Sequence, residues 1–170
     1  MKKRSLALVV SLAMSACTSS RQPPASPVEL KHFSLDSMEG VRATTGISFD
    51  PQISTHGKGS LRIDTSQPLT LPLFEVNDLS IENAALIYQA SLQSQNLRRK
   101  GLSGNVAPLS WQRRVFLARA GTMSWMTSTI PFFLQAGQKP DLIRLNLVVA
   151  GKGRVWIDDV RLLRQPLSTR

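Results

Sequence analysis

The stretch Ile143-Arg-Leu-Asn-Leu-Val-Val149 alternates apolar with polar residues, and a period of two belongs to a half-buried strand, not a helix. Ile143, Leu145, Leu147 and Val149 fall on one face and Arg144, Asn146 and Val148 on the other, so the first face needs a second layer to cover it. Leu61-Arg-Ile63, Ala85-Leu-Ile-Tyr88, Val115-Phe-Leu117 and Val155-Trp-Ile157 are also strand-length, rich in β-branched or aromatic residues and separated by Gly, Pro, Asn and Asp. Helix-period stretches are scarce. Many short strands with turn signals between them predict an all-β chain built as an antiparallel sandwich or barrel. Gly-Lys-Gly occurs at 57–59 and again at 151–153, each time leading into a strand, which reads as a repeated turn-plus-strand device.

The chain holds one cysteine, Cys17, so no internal disulfide can staple the fold. Its position is informative. Met1-Lys-Lys-Arg-Ser supplies a positive start, Leu6 to Ala13 an apolar run, and Met14-Ser-Ala-Cys17 a small-residue cleavage pattern. The run is shorter than the roughly 20 apolar residues a membrane span needs. Met14 to Cys17 resembles the lipobox of bacterial lipoproteins, although the family usually has Leu where Met14 stands. The resemblance implies cleavage after residue 16 and acylation of Cys17, with an ordinary cleaved signal and an incidental cysteine as the alternative. Several acyl chains would hold the product firmly on a membrane. Thr18, where an Asp would direct inner-membrane retention, implies the outer membrane, facing the periplasm.

Residues 17–30 read as the lipidated cysteine and a flexible tether, since Thr18 to Pro27 is Pro- and Ser-rich without a hydrophobic period. That spacer reaches up to ~30 Å when extended. Residues 31–166 are left for one sandwich domain and 167–170 for a short tail. Loss of Lys2, Lys3 and Arg4 with the signal lowers the formal charge from +10 to +7. The remaining excess is scattered, without the basic run and interleaved aromatics of a nucleic-acid face, so no nucleic acid is expected as partner.

Trp125 to Leu134 and Gly137 to Leu162, which ends Val-Trp-Ile-Asp-Asp-Val-Arg-Leu, resemble the close of a carbohydrate-binding-module-type jelly roll, also called galactose-binding-like. Phe49-Asp-Pro to Ile63 resembles the early strand pair of such domains and Ala85 to Leu92 their central strand. The resemblance implies a jelly-roll β-sandwich, a scaffold that carries sugar binders, protein-contact modules and structural appendages. It also implies a structural calcium, with Asp158 as one ligand, carbonyls between Gly57 and Ser60 as others, and Asp36 or Glu39 as the N-terminal carboxylate. Six to eight mixed oxygens suit that ion. Equally open is that Asp158 pairs with an arginine such as Arg62 or Arg161, or caps a bulge.

Sugar recognition needs an aromatic plane flanked by polar groups. Trp156, between Val155 and Ile157, is expected to be half-buried, and Trp125, at a strand start, to pack. Trp111 lies among polar and basic neighbours after a turn-rich loop, which makes it the candidate platform, with Arg98, Arg113 and Arg114 around it. Simple cover of Trp111 by arginine stems is the competing reading. Catalytic patterns are lacking: His32 and His56 have no metal-ligand spacing, and the adjacent acids Asp158 and Asp159 should point to opposite faces of a strand. The sequence thus predicts a membrane-anchored, non-catalytic envelope lipoprotein that binds carbohydrate or a glycan-containing envelope component, with an interaction or scaffolding module as the alternative.

Overall fold

The computed structural model describes residues 26–99, 115–117 and 121–167. Among these there is no helix, and the strands are β1 (Val28–Phe33), β2 (Ser48–Asp50), β3 (Ser60–Thr65), β4 (Leu69–Asn77), β5 (Ala84–Arg99), β6 (Val115–Leu117), β7 (Gly121–Leu134), β8 (Leu142–Val149) and β9 (Gly151–Pro166). They form two sheets. The larger runs β2-β3-β9-β5-β7, with β1 added to β9, and the smaller runs β4-β8-β6. All ladders are antiparallel except β6 on β8, which is parallel.

Alternation explains the layering. On β8, Leu145, Leu147 and Val149 are buried while Leu142 and Arg144 are exposed, as the period of two requires. From the larger sheet, Leu61, Ile63, Tyr88, Val155, Ile157 and Leu162 meet them in one continuous core. Each fully buried Leu or Ile contributes about 1.5–3 kcal/mol, so this shared core stabilises the fold without a disulfide. Phe33 of β1 stacks on Phe74 of β4 at 3.8 Å between ring centroids, tying the first strand to the opposite sheet.

The strands β5 and β9 are each 16 residues long and pair along most of their length. Bulges interrupt that ladder between Gln89 and Ser91 and between Gln95 and Arg98. The second edge of β9 is divided: β3 pairs with Gly153 to Ile157, and β1 takes over from Val160 to Arg164. The acidic doublet sits at this changeover. One residue of β5, Ala90, spans two on β9 here, and Asp159 adopts φ 50°, the left-handed conformation of a bulge.

Candidate functional site

Asp158 is 2% exposed, and its carboxylate accepts three hydrogen bonds. The Thr55 backbone N–H (2.8 Å) and hydroxyl (2.6 Å) donate to Oδ2, and the Asp159 N–H (2.8 Å) donates to Oδ1. Because the Thr55 hydroxyl donates to Asp158, the 2.6 Å contact with His56 makes the His56 Nδ1–H the donor to Thr55. Asp159 faces β1, where His32 Nε2 lies 2.7 Å away, and Arg161 Nε donates to the same oxygen at 2.9 Å. Burial pushes the Asp159 carboxyl up, but Arg161 and His32 outweigh it and hold it below its ordinary range. The doublet therefore pins the β2–β3 loop with one acid and β1 with the other. Arg62 and Arg161, the arginines considered for Asp158, pair instead with Asp64 and with Asp159 and Glu29.

Both oxygens of Asp158, the residue expected to be the C-terminal calcium ligand, are taken up by protein donors. Among the described residues no three His, Cys, Asp or Glu side chains come together as a metal-binding group. The Ser60 hydroxyl donates to the Ile53 carbonyl (2.5 Å) and the Gly57 N–H to the Ser54 hydroxyl (2.6 Å), which close the β2–β3 loop on itself. Glu39 is exposed and Asp36 half-buried in the segment between β1 and β2. Three donors around a carboxylate already supply what a buried charge requires, and the capped-bulge reading accounts for them.

On the outer face of the larger sheet, the register sets Gln93 of β5 opposite Trp156 of β9, and Trp156 opposite Arg62 of β3. Trp156 is 3% exposed, more buried than its sequence setting predicts. Its indole N–H donates to Asp50 at 2.9 Å, and the Arg154 guanidinium lies over its ring at 5.6 Å. That hydrogen bond is the main reason the Asp50 carboxyl sits below its ordinary range. Arg154 also donates to Asp64 (2.7 Å) and Gln95 (3.2 Å), and Arg62 donates to Asp64 (2.6 Å). Burial raises Asp64, but the two arginines prevail and keep it ionised to lower pH.

The partner of Gln93 on β7 is a bulge that holds Ser124 and Trp125, between the pairs Leu92–Met126 and Ser94–Met123. Bulge geometry and alternation turn Trp125 to this outer face, half-buried beside Gln93. The sequence places Trp125 at a strand start as a packing residue, whereas it is the fifth residue of an edge strand that begins at Gly121. Its odd spacing from Ile130, Phe132 and Leu134, which pack on the core, is the signal that marks it as outward-facing. Beyond Gln95 the face opens into a groove of about 550 Å³ lined by Asp64, Thr65, Ser66, Gln95, Asn96, Lys152, Gly153 and Arg154. Arg98 is exposed at its end, directly opposite Lys152. Of the predicted sugar-site residues, Trp111, Arg113 and Arg114 lie outside the described residues, as does Cys17.

No protein-family model matches the chain, and no curated protein matches it in sequence. Among solved structures, it is similar to the CBM22-1 xylan-binding domain of Xyn10C from Paenibacillus barcinonensis, with a TM-score of 0.51 at 13% identity over 85% of this chain and 100% of that one. The tandem CBM22-1-CBM22-2 domain of the same protein gives a TM-score of 0.53 at 13% identity, over 88% of this chain and 48% of the tandem. Two facing sheets, the early strand pair, the central strand and the closing Asp-Asp strand together give this chain a jelly-roll β-sandwich, the fold it shares with those xylan-binding domains.

Proposed function

We propose that this is a non-catalytic glycan-binding module of the bacterial cell envelope, held on a membrane by a lipid on Cys17. The observation that carries the binding reading is the outer-face row of Trp125, Gln93 and the Arg154–Asp64–Arg62 network. It offers one half-buried aromatic ring beside amides and ion-paired groups that hydrogen-bond hydroxyls. Similarity of fold to a xylan-binding domain supports it. Trp111, with Arg113 and Arg114, is proposed as a second contact on its sequence setting, an aromatic among polar and basic neighbours after a turn-rich loop. The test is binding of the full chain, purified in detergent, to a panel of plant and bacterial polysaccharides. Trp125→Ala is expected to weaken capture by about 1–3 kcal/mol, the value of an aromatic anchor desolvated on binding, with the melting temperature nearly unchanged. Undiminished affinity in that variant would remove Trp125 from the site.

Lipid anchoring rests on the lone cysteine that closes the signal-like segment. Cys17→Ser is expected to leave the membrane fraction or to accumulate as unprocessed precursor, read by fractionation and gel mobility. A serine variant that fractionates and migrates like the parent would sink the lipoprotein reading. The geometry of the sheet agrees with the arrangement. Val28, where the tether meets the domain, pairs with Arg164 near the end of β9, while the groove lies near its start at Lys152. Twelve residues of strand put about 40 Å between them, so a tether at one end presents the groove away from the bilayer.

A protein-contact reading draws on the tether end of the same face. Phe133 is 59% exposed there, near Pro131, Ile87 and Leu163 in register. A lone exposed Phe needs no explanation, but one continuous with an apolar row fits a protein surface.

A further inference from the structure

We infer that the groove selects an anionic glycan, one bearing carboxylate or phosphate groups, and that Arg98 and Lys152 are the residues that read its charge. This rests on the glycan-binding reading above. The two cations face each other directly across the β5–β9 ladder, and both are exposed. Like charges directly opposite on antiparallel strands destabilise the pairing. Other cations of the domain show what the usual remedy looks like. Arg154 and Arg62 share the carboxylate of Asp64, Arg144 and Arg42 share Glu75, and Lys139 meets Glu82. Arg98 and Lys152 have no such carboxylate among the described residues, and the groove's one acid, Asp64, is already held by two arginines.

The local backbone fixes that arrangement. The bulge at Asn96 and Leu97 opposite Gly153 shifts the register so that Arg98 and Lys152 come level at the groove's end. Gln95, Asn96, Thr65 and Ser66 line the groove with amides and hydroxyls, groups that meet sugar hydroxyls, while the uncompensated cations meet a negative substituent. A carboxylate or phosphate lodged between the two would remove their mutual repulsion and gain two charge-assisted contacts, which a neutral sugar cannot do.

The test uses the full chain in detergent with four probes: polygalacturonate and glucuronoxylan for carboxylate, phosphorylated lipopolysaccharide core oligosaccharide for phosphate, and unsubstituted xylan as the neutral control. The inference expects one of the anionic probes to bind more tightly than neutral xylan, with affinity falling as NaCl rises from 0.05 to 0.5 M on the order of the screening expected for exposed charges. Arg98→Gln with Lys152→Gln is expected to weaken that probe about tenfold to thirtyfold at low salt and to flatten its salt dependence. Which anionic probe responds identifies carboxylate or phosphate. Melting temperature should hold or rise slightly in the double variant, because a repulsion is removed. Binding to neutral xylan that equals the anionic probes, insensitive to salt and to the double variant, overturns the inference while leaving the glycan reading standing. Failure of all four probes, with Trp125→Ala also silent, overturns both.

Discussion

Gly153→Ala is expected to destabilise the domain by about 3–5 kcal/mol, enough to leave a chain of ordinary stability partly unfolded at growth temperature. Gly153 adopts φ 152°, a backbone conformation that L side chains rarely take, opposite the β5 bulge. A Cβ there would stand 2.6 Å from the Leu97 Cα and 2.8 Å from the Asn96 carbonyl oxygen. Both obstacles are backbone, so no rotamer change relieves them, and Leu97 is itself a core residue that cannot retreat. Gly57 is the control. At φ 85° with nothing within 4 Å, Gly57→Ala carries only the left-handed penalty, about 1 kcal/mol. Denaturant midpoints of the two variants measure the difference. If Gly153→Ala melts within a few tenths of a kcal/mol of the parent, the β5–β9 bulge is not built as described.

The same bulges decide how much of the fold is legible in the sequence. Strands whose alternation is unbroken, such as β8 and the Val155 to Ile157 part of β9, read directly from a period of two. The full lengths of β5 and β9 do not, because one extra residue at Asn96–Leu97 on β5 and one at Asp159–Val160 on β9 each shift the inward face by one position and break the period. The first strand is illegible for a different reason. It lies on an edge, Glu29, Lys31 and His32 are exposed, and only its register with β9 defines it. It begins at Val28, three residues inside the stretch that composition assigns to the tether. The glycines of the repeated Gly-Lys-Gly were visible, and their positions of close approach, Gly59 under the Phe49 ring and Gly153 against Leu97, give the repeat a physical cause.

For the site, the sequence supplied the chemistry but not the distances. Asp158 stood out because a carboxylate on a core strand needs a partner; that the partner is Thr55, 103 residues away, depends on a loop closing over the gap between β1 and β3. Trp156 was visible as an aromatic, yet its burial follows from Asp50 and Arg154, brought to it by β2 and by its own strand. Trp125 reads as a packing residue at a strand start because its strand begins earlier than its apolar residues indicate.

Asp158→Ala is expected to lower stability by about 2–5 kcal/mol, with or without calcium, because removing the carboxylate strands two donors at a buried junction. The Thr55 and Asp159 N–H groups lose their acceptor, and each buried unpaired donor costs about 1–3 kcal/mol, while the Thr55 hydroxyl can turn to another partner. Asp158→Asn separates this from a charge effect. Its amide oxygen can still accept from Thr55, but its NH2 would face the Asp159 N–H, donor against donor, so it should fall between the parent and alanine. A calcium ligand predicts a different pattern: binding only to the folded state, the ion would raise the melting temperature with concentration, and EDTA would lower it. Because donors already surround both oxygens, EDTA and added calcium should leave the parent's melting curve in place. A calcium-dependent rise that Asp158→Ala abolishes would show that a cation, and not Thr55, holds the junction where β1 and β3 exchange the edge of β9.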